Sequence, residues 1–210
     1  MGGRRSRVAG MVAVVLALAV AGIAVAVNAR LTDPHDTGGA LDIREVKFAQ
    51  PSGEPPTWSV ITATAWKVEA LWDRGYVFVQ LDTKGSEAAD YYALIRSDGR
   101  TLRSVLFRVT AESGKRDAAV SPLAVWRKAN DSVSVKIPLK LMTFGPTRSF
   151  YRWWVVTSLT SEKCPATCLD RAPDQGSVQQ WRPGMSPTPA PSPTITPTPT
   201  PSAATVPNAG

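Results

Sequence analysis

Alternation with a period of two residues recurs along the middle of this chain, and it restricts the fold more than any other feature. In "SVSVKIPL", Val133, Val135, Ile137 and Leu139 fall on one side and Ser132, Ser134, Lys136 and Pro138 on the other. That is the pattern of a half-buried strand. "LDIREVKFAQ", "TWSVITATAW", "GYVFVQLDT", "DYYALIRS", "TLRSVLFRVT", "AVSPLAVWRK" and "FYRWWVVTSLT" supply seven more segments rich in β-branched and aromatic residues. Asp98-Gly99 separates two of them, a strong hairpin signal. Eight strands at short, regular intervals with no convincing long helix predict an all-β domain, an antiparallel β-sandwich of jelly-roll type. No repeat period emerges, which argues against a propeller or solenoid.

The two ends differ from this middle. Residues 1–30 carry Arg4, Arg5 and Arg7, followed by an uncharged, mostly Ala and Val run from Val8 to Ala29. Such a run matches the roughly 20 apolar residues that span a bilayer as a helix, with the positive flank held in the cytoplasm. Ala24-Val25-Ala26 and Val27-Asn28-Ala29 have the small-x-small form at which signal peptides are cut. The segment is therefore either a cleaved signal peptide or a membrane anchor through residues 8–29, and both place the rest of the chain outside. Residues 183–210 are dominated by Pro, Thr and Ser and cannot bury enough surface to offset their ordering entropy. They predict a disordered tail, suited to O-glycosylation or to spacing through cell-wall polymer. The folded domain is expected over residues 31–182.

Charge excludes little. Without the three leading arginines, 21 basic residues face 17 acidic ones, and the basic ones are scattered among apolar positions. Scattered charge at strand spacing is a solvated face, so no nucleic-acid partner is expected, and attraction to anionic envelope polymer stays open. Cys164 and Cys168 are the only cysteines. An exported chain folds under oxidising conditions, and with a single histidine a four-ligand zinc site is out of reach. A structural disulfide after "FYRWWVVTSLT" is expected, closing so short a loop that its stabilisation falls below the roughly 3 kcal/mol of a 15-residue loop.

"DPHDTGGALDIREV", "RGYVFVQLDTKGSEAADYYALIRSDG" and "CPATCLDRAPDQGSV", in this order behind an export segment, resemble a family of uncharacterised exported bacterial proteins over roughly residues 32 to 182. The Asp/Gly-rich entry to an "LDI" strand is also distantly similar to DOMON domains and family 9 carbohydrate-binding domains. That resemblance implies a sandwich with a calcium ion near such a loop and a sugar or haem ligand.

The residues themselves allow the same chemistry. Calcium takes six to eight oxygen ligands on a sharply turning chain. Asp33, Asp36 and Asp42 offer carboxylates around Gly38-Gly39, and Asp90, Asp170 or Asp174 could complete a set if the fold brings them near. The stretch also reads, and more simply, as a plain turn leaving the tether, since Asp, Pro and Gly are turn residues. Seven tryptophans and four tyrosines raise the prospect of a sugar-stacking platform. In "FYRWWVV", Tyr151, Trp153 and Val155 share one face and Phe150, Arg152, Trp154 and Val156 the other; Tyr151 and Trp153 are the candidate platform. Catalytic signatures are missing: His35 stands outside any nucleophile motif, and no G-x-S-x-G, H-E-x-x-H or phosphate loop occurs. Asp82 and Asp90 form a carboxylate pair of the kind glycosidases use, but a chain with 17 acids contains such pairs by chance. The expectation is a non-catalytic extracytoplasmic binding or adhesion module, recognising carbohydrate or envelope polymer. The alternatives are a structural envelope protein with a wall-spanning tail and, less favoured, a cryptic hydrolase.

Overall fold

The computed structural model describes residues 27–72, 74–110, 115–183 and 185. The expected N-terminal helix up to residue 26, and all of the expected tail (183–210) except Pro183 and Met185, lie outside these residues. Among the described residues, no helix is long and apolar enough to cross a membrane.

The domain is all-β and antiparallel, as the alternation requires. Its strands are β1 (Val27–Thr32), β2 (Ile43–Gln50), β3 (Thr57–Thr62), β4 (Gly75–Asp82), β5 (Tyr91–Ser97) and β6 (Leu102–Arg108). The chain continues through β7 (Ala118–Trp126), β8 (Ser132–Lys136), β9 (Phe150–Ser161), β10 (Cys164–Ala172) and β11 (Val178–Trp181). Two short 3-10 turns, Val68–Leu71 and Leu139–Leu141, complete the elements. All eight expected strands are present.

The pairing joins the strands into one ladder rather than two separate sheets. The strands form one curled sheet in the order β1-β2-β3-β8-β7-β6-β5-β4-β9-β10, with β11 also on β9. The reason lies in β7, which pairs with β6 over Ala118–Leu123 and with β8 over Ala124–Trp126. One strand thus carries the ladder around the bend, next to a register shift at Leu106/Phe107 of the kind that re-aims a sheet. The two limbs of the sheet face each other across the core. Phe48 and Trp58 from one limb meet Trp153 from the other, with ring centroids 5.8 and 6.2 Å away. Polar ties reinforce the closure: Thr157 Oγ1 donates to Leu41 O at 2.7 Å, and the Tyr151 hydroxyl donates to Gln50 Oε1 at 3.3 Å.

Period two decides which side chains enter this core. In β4, Val77, Val79 and Leu81 are buried while Tyr76, Phe78 and Gln80 are only partly so; β5 repeats the pattern with Tyr91, Ala93 and Ile95 inside. β8 departs from it, because Ser132 and Ser134 are buried beside Val133 and Val135. Ser134 resolves its burial by hydrogen-bonding the Ser59 hydroxyl at 2.8 Å.

Two boundaries differ from expectation. β1 begins at Val27, four residues before the expected domain start at 31, and pairs Val27 with Gln50 through Thr32 with Glu45. Val27, Asn28 and Ala29 therefore belong to the sheet rather than to the apolar segment. β10 occupies a region that reads as a loop; only Cys168–Ala172 forms regular ladder, after a register shift spanning Cys164 to Cys168.

Candidate functional site

The stretch between β1 and β2 folds back on itself, and its three aspartates part company. Asp42 is almost fully buried (1 % exposed). Its Oδ1 accepts the Thr37 N–H at 3.0 Å, and its Oδ2 contacts His35 Nδ1. Asp42 is thereby committed to holding its own loop, which removes it from the expected ligand set. Asp33 and Asp36 instead converge with Asp170 of β10, one carboxylate oxygen of each lying within 4.8 Å of the others. Asp170 arrives there because β10 packs against the start of β2, where Ile43 N–H donates to its Oδ2 at 2.5 Å. Asp174, just beyond β10, is close enough to act on Asp33 electrostatically. Asp90 is elsewhere, accepting N–H groups of Thr83 and Lys84 at 2.9 Å in the β4–β5 loop.

Gathering carboxylates in a half-buried pocket has a predictable electrostatic result. Burial first, then the negative charges of Asp170, Asp174, Asp36 and Asp42, push the Asp33 carboxyl up from 3.8 to about 7. Asp170 is also raised, chiefly by burial, with Asp36 and Asp42 adding to it and two backbone N–H bonds opposing it. Asp33 Oδ2 is buried and has no hydrogen-bond partner among the described residues. Three oxygens of concentrated negative charge on a turning chain are the chemistry a hard divalent cation prefers.

The second glycine of this loop is explained by its neighbour. Gly39 adopts φ +124°, and a Cβ there would meet Cys164 Sγ at 3.0 Å and Leu159 at 3.3 Å. Cys164 and Cys168 are joined as a disulfide, so the bridge expected from composition also forms the wall on which the Gly-Gly turn rests. A disulfide is consistent with an oxidising, extracellular location.

Tyr151 and Trp153 do share one face of β9, as alternation predicts, but that face is the core: both are 0 % exposed. They cannot form a platform. The opposite face of β9 offers little either, because Trp154 is 7 % exposed and lies under the Arg171 guanidinium at 5.5 Å. The aromatic surface lies further round the sheet. Tyr76 and Phe78 on β4, Tyr92 on β5 and Phe107 on β6 form a continuous half-buried row on the outer face, with successive centroids 6.2, 5.9 and 5.2 Å apart. Tyr92 and Phe107 stack at an interplanar angle of 16°. The Tyr92 hydroxyl donates to Asp117 Oδ2 at 3.0 Å, and burial with that bond pushes it up to about 12. The row was legible in principle: Tyr76, Phe78 and Tyr92 occupy the odd-face-out positions of strands whose alternate residues are aliphatic. What sequence could not supply was which strands are neighbours.

The Asp82 and Asp90 carboxylates, a glycosidase-like pair on paper, are consumed by the β4–β5 loop. Asp82 accepts the N–H groups of Lys84 at 3.1 Å and Glu87 at 3.2 Å, and Asp90 those already named. Set beside known proteins, the chain matches no family model, no curated protein and no solved structure.

Proposed function

We propose that this chain is a non-catalytic, exported binding module that recognises carbohydrate or another cell-envelope polymer on the outer face of its curled sheet. The observation that carries the reading is the Tyr76–Phe78–Tyr92–Phe107 row. Aromatic rings with one face toward water suit the apolar faces of sugar rings, and a row of them suits a repeating polymer. The arginines that interrupt the same face, Arg96 and Arg103, supply donors in fixed planar geometry. Calcium is the cofactor that fits Asp33, Asp36 and Asp170, where it would neutralise the carboxylates and tie the β1–β2 loop to β10. Its role there is to hold the fold rather than to touch the polymer.

Co-sedimentation with insoluble envelope polysaccharide tests the reading. Wild-type protein should be retained, and Tyr92→Ala and Phe107→Ala should each weaken retention while keeping the far-ultraviolet circular dichroism of a β protein. No reducing ends should appear on incubation. Retention unchanged in both variants would remove the row from the function, and released sugar would favour a hydrolase.

A further inference from the structure

Trp72 is 63 % exposed, whereas Trp58, Trp66, Trp153 and Trp154 are each less than a tenth exposed. It follows the Val68–Leu71 turn, bridges to Ser97 and lies over Gly99 in the β5–β6 hairpin, where a Cβ would meet its indole at 3.4 Å. With Tyr76 it walls a cleft of about 280 Å³ that Arg96, Ser97, Asp98 and Arg103 complete. Tyr76 also begins the aromatic row, so the cleft is the row's end.

The floor of this cleft is electrostatically unbalanced. Arg96 and Arg103 are direct cross-strand partners, both exposed on the same face, an arrangement that like charges make unfavourable. Asp98 relieves only one of them. Its Oδ2 takes Arg103 Nε at 2.5 Å, and its Oδ1 takes the N–H groups of Thr101 at 2.8 Å and Arg100 at 3.0 Å. Those bonds hold the Asp98 carboxyl well below the usual carboxylate range, so it stays a fixed anion with its acceptor capacity spent. The Arg96 guanidinium has neither a hydrogen bond nor an ion pair with any described residue.

We infer that the Trp72–Tyr76–Arg96 cleft is an acidic-sugar subsite, taking a saccharide unit that bears a carboxylate or phosphate. This rests on the outer face being the polymer-binding surface and names the class of polymer. The ring stacks on the exposed indole, and the anionic group meets the unpaired Arg96 guanidinium, whose planar donors match either group. The remaining aromatic row then receives the neighbouring units.

The experiment measures binding of the full exported chain to polygalacturonate, a glycerol-phosphate polymer and dextran, at low and high salt. Both acidic polymers, or one of them, should bind at least roughly tenfold more tightly than dextran, and the advantage should shrink with salt. The tighter of the two identifies carboxylate or phosphate as the natural group. Arg96→Gln should abolish the preference, a loss of roughly tenfold typical of a charge-assisted bond. Trp72→Ala should weaken every polymer. Both side chains are exposed, so melting temperatures should stay close to wild type. Equal affinity for dextran and the acidic polymers, or an Arg96→Gln protein with the preference intact, overturns the inference and leaves the aromatic face standing. Failure of all three polymers to bind overturns both.

Discussion

The Asp33 carboxyl offers a measurement that needs no ligand. A carboxyl whose pKa rises on folding, here from 3.8 to about 7, keeps its proton longer in the folded chain than in the unfolded one. The associated stability is complete below pH 3.8 and is lost as pH rises through about 7. In chelator, the melting temperature should therefore fall between pH 5 and pH 8, and Asp33→Asn should flatten that slope. A wild-type melt indifferent to pH over this range would mean that the carboxylates are not crowded. At the proposed calcium site, the ion should compete with the same proton. At a hundredfold excess over Kd it should stabilise the fold by about 2.7 kcal/mol, or roughly 5–10 °C, and erase the dependence on pH. Asp36→Ala should remove most of that gain with little effect in chelator. Asp42→Ala should behave oppositely: it frees His35 and the Thr37 N–H, lowering the melt with or without calcium. Identical wild-type melts in calcium and in chelator would reduce the cluster to a turn.

At the scale of elements, β1 is the informative case. Val27, Asn28 and Ala29 pair with Gln50, Ala49 and Phe48, Ala29 packs on the core, and Arg30 donates to the buried Glu45 at 3.2 Å. Of the two small-x-small sequences, cleavage after Ala26 leaves this strand whole, whereas cleavage after Ala29 removes half of it. A chain beginning at Val27 should melt above one beginning at Arg30. The difference expected from a few ladder bonds and one small apolar side chain is about 1–2 kcal/mol, or roughly 2–8 °C. Equal melts would show that the first half of β1 contributes nothing to the fold. The Gly38–Gly39 turn belongs to the same region: Gly39 combines a left-handed φ with contact against the disulfide, so any side chain there strains the backbone and presses on Cys164.

The molecule as a whole is closed by a small number of large side chains. Phe48, Trp58, Tyr151 and Trp153 are each no more than 1 % exposed and bridge the limbs of a sheet whose strand ladder, among the described residues, passes from one limb to the other through β7. Trp58→Ala should cost about 3–5 kcal/mol, or roughly 6–20 °C in Tm, measured by thermal or denaturant unfolding. Trp153→Phe should cost far less. The buried Trp153 Nε1 has no hydrogen-bond partner among the described residues, so deleting it offsets part of the lost packing. A Trp153→Phe penalty equal to that of Trp58→Ala would imply a partner for that nitrogen.

Alternation alone was sufficient to locate eight strands and to divide β9 into two faces, because the period of a strand is a local property of the backbone. The disulfide was equally local, since two cysteines four residues apart in an oxidised chain have no other partner. Which face of β9 points inward was not local. Burial is the commoner fate of such rings, but alternation alone also allowed Tyr151 and Trp153 as a platform, and the limb carrying Phe48 and Trp58 made them core. The acidic cluster shows the same division. Asp33, Asp36 and Asp42 are neighbours in sequence, yet the third carboxylate comes from Asp170, more than a hundred residues away. Pairing order in a sheet is set by contacts distant along the chain, so sequence determined eight of the eleven described strands, the two faces of each and the staple, and tertiary structure alone decided which side chains share a site.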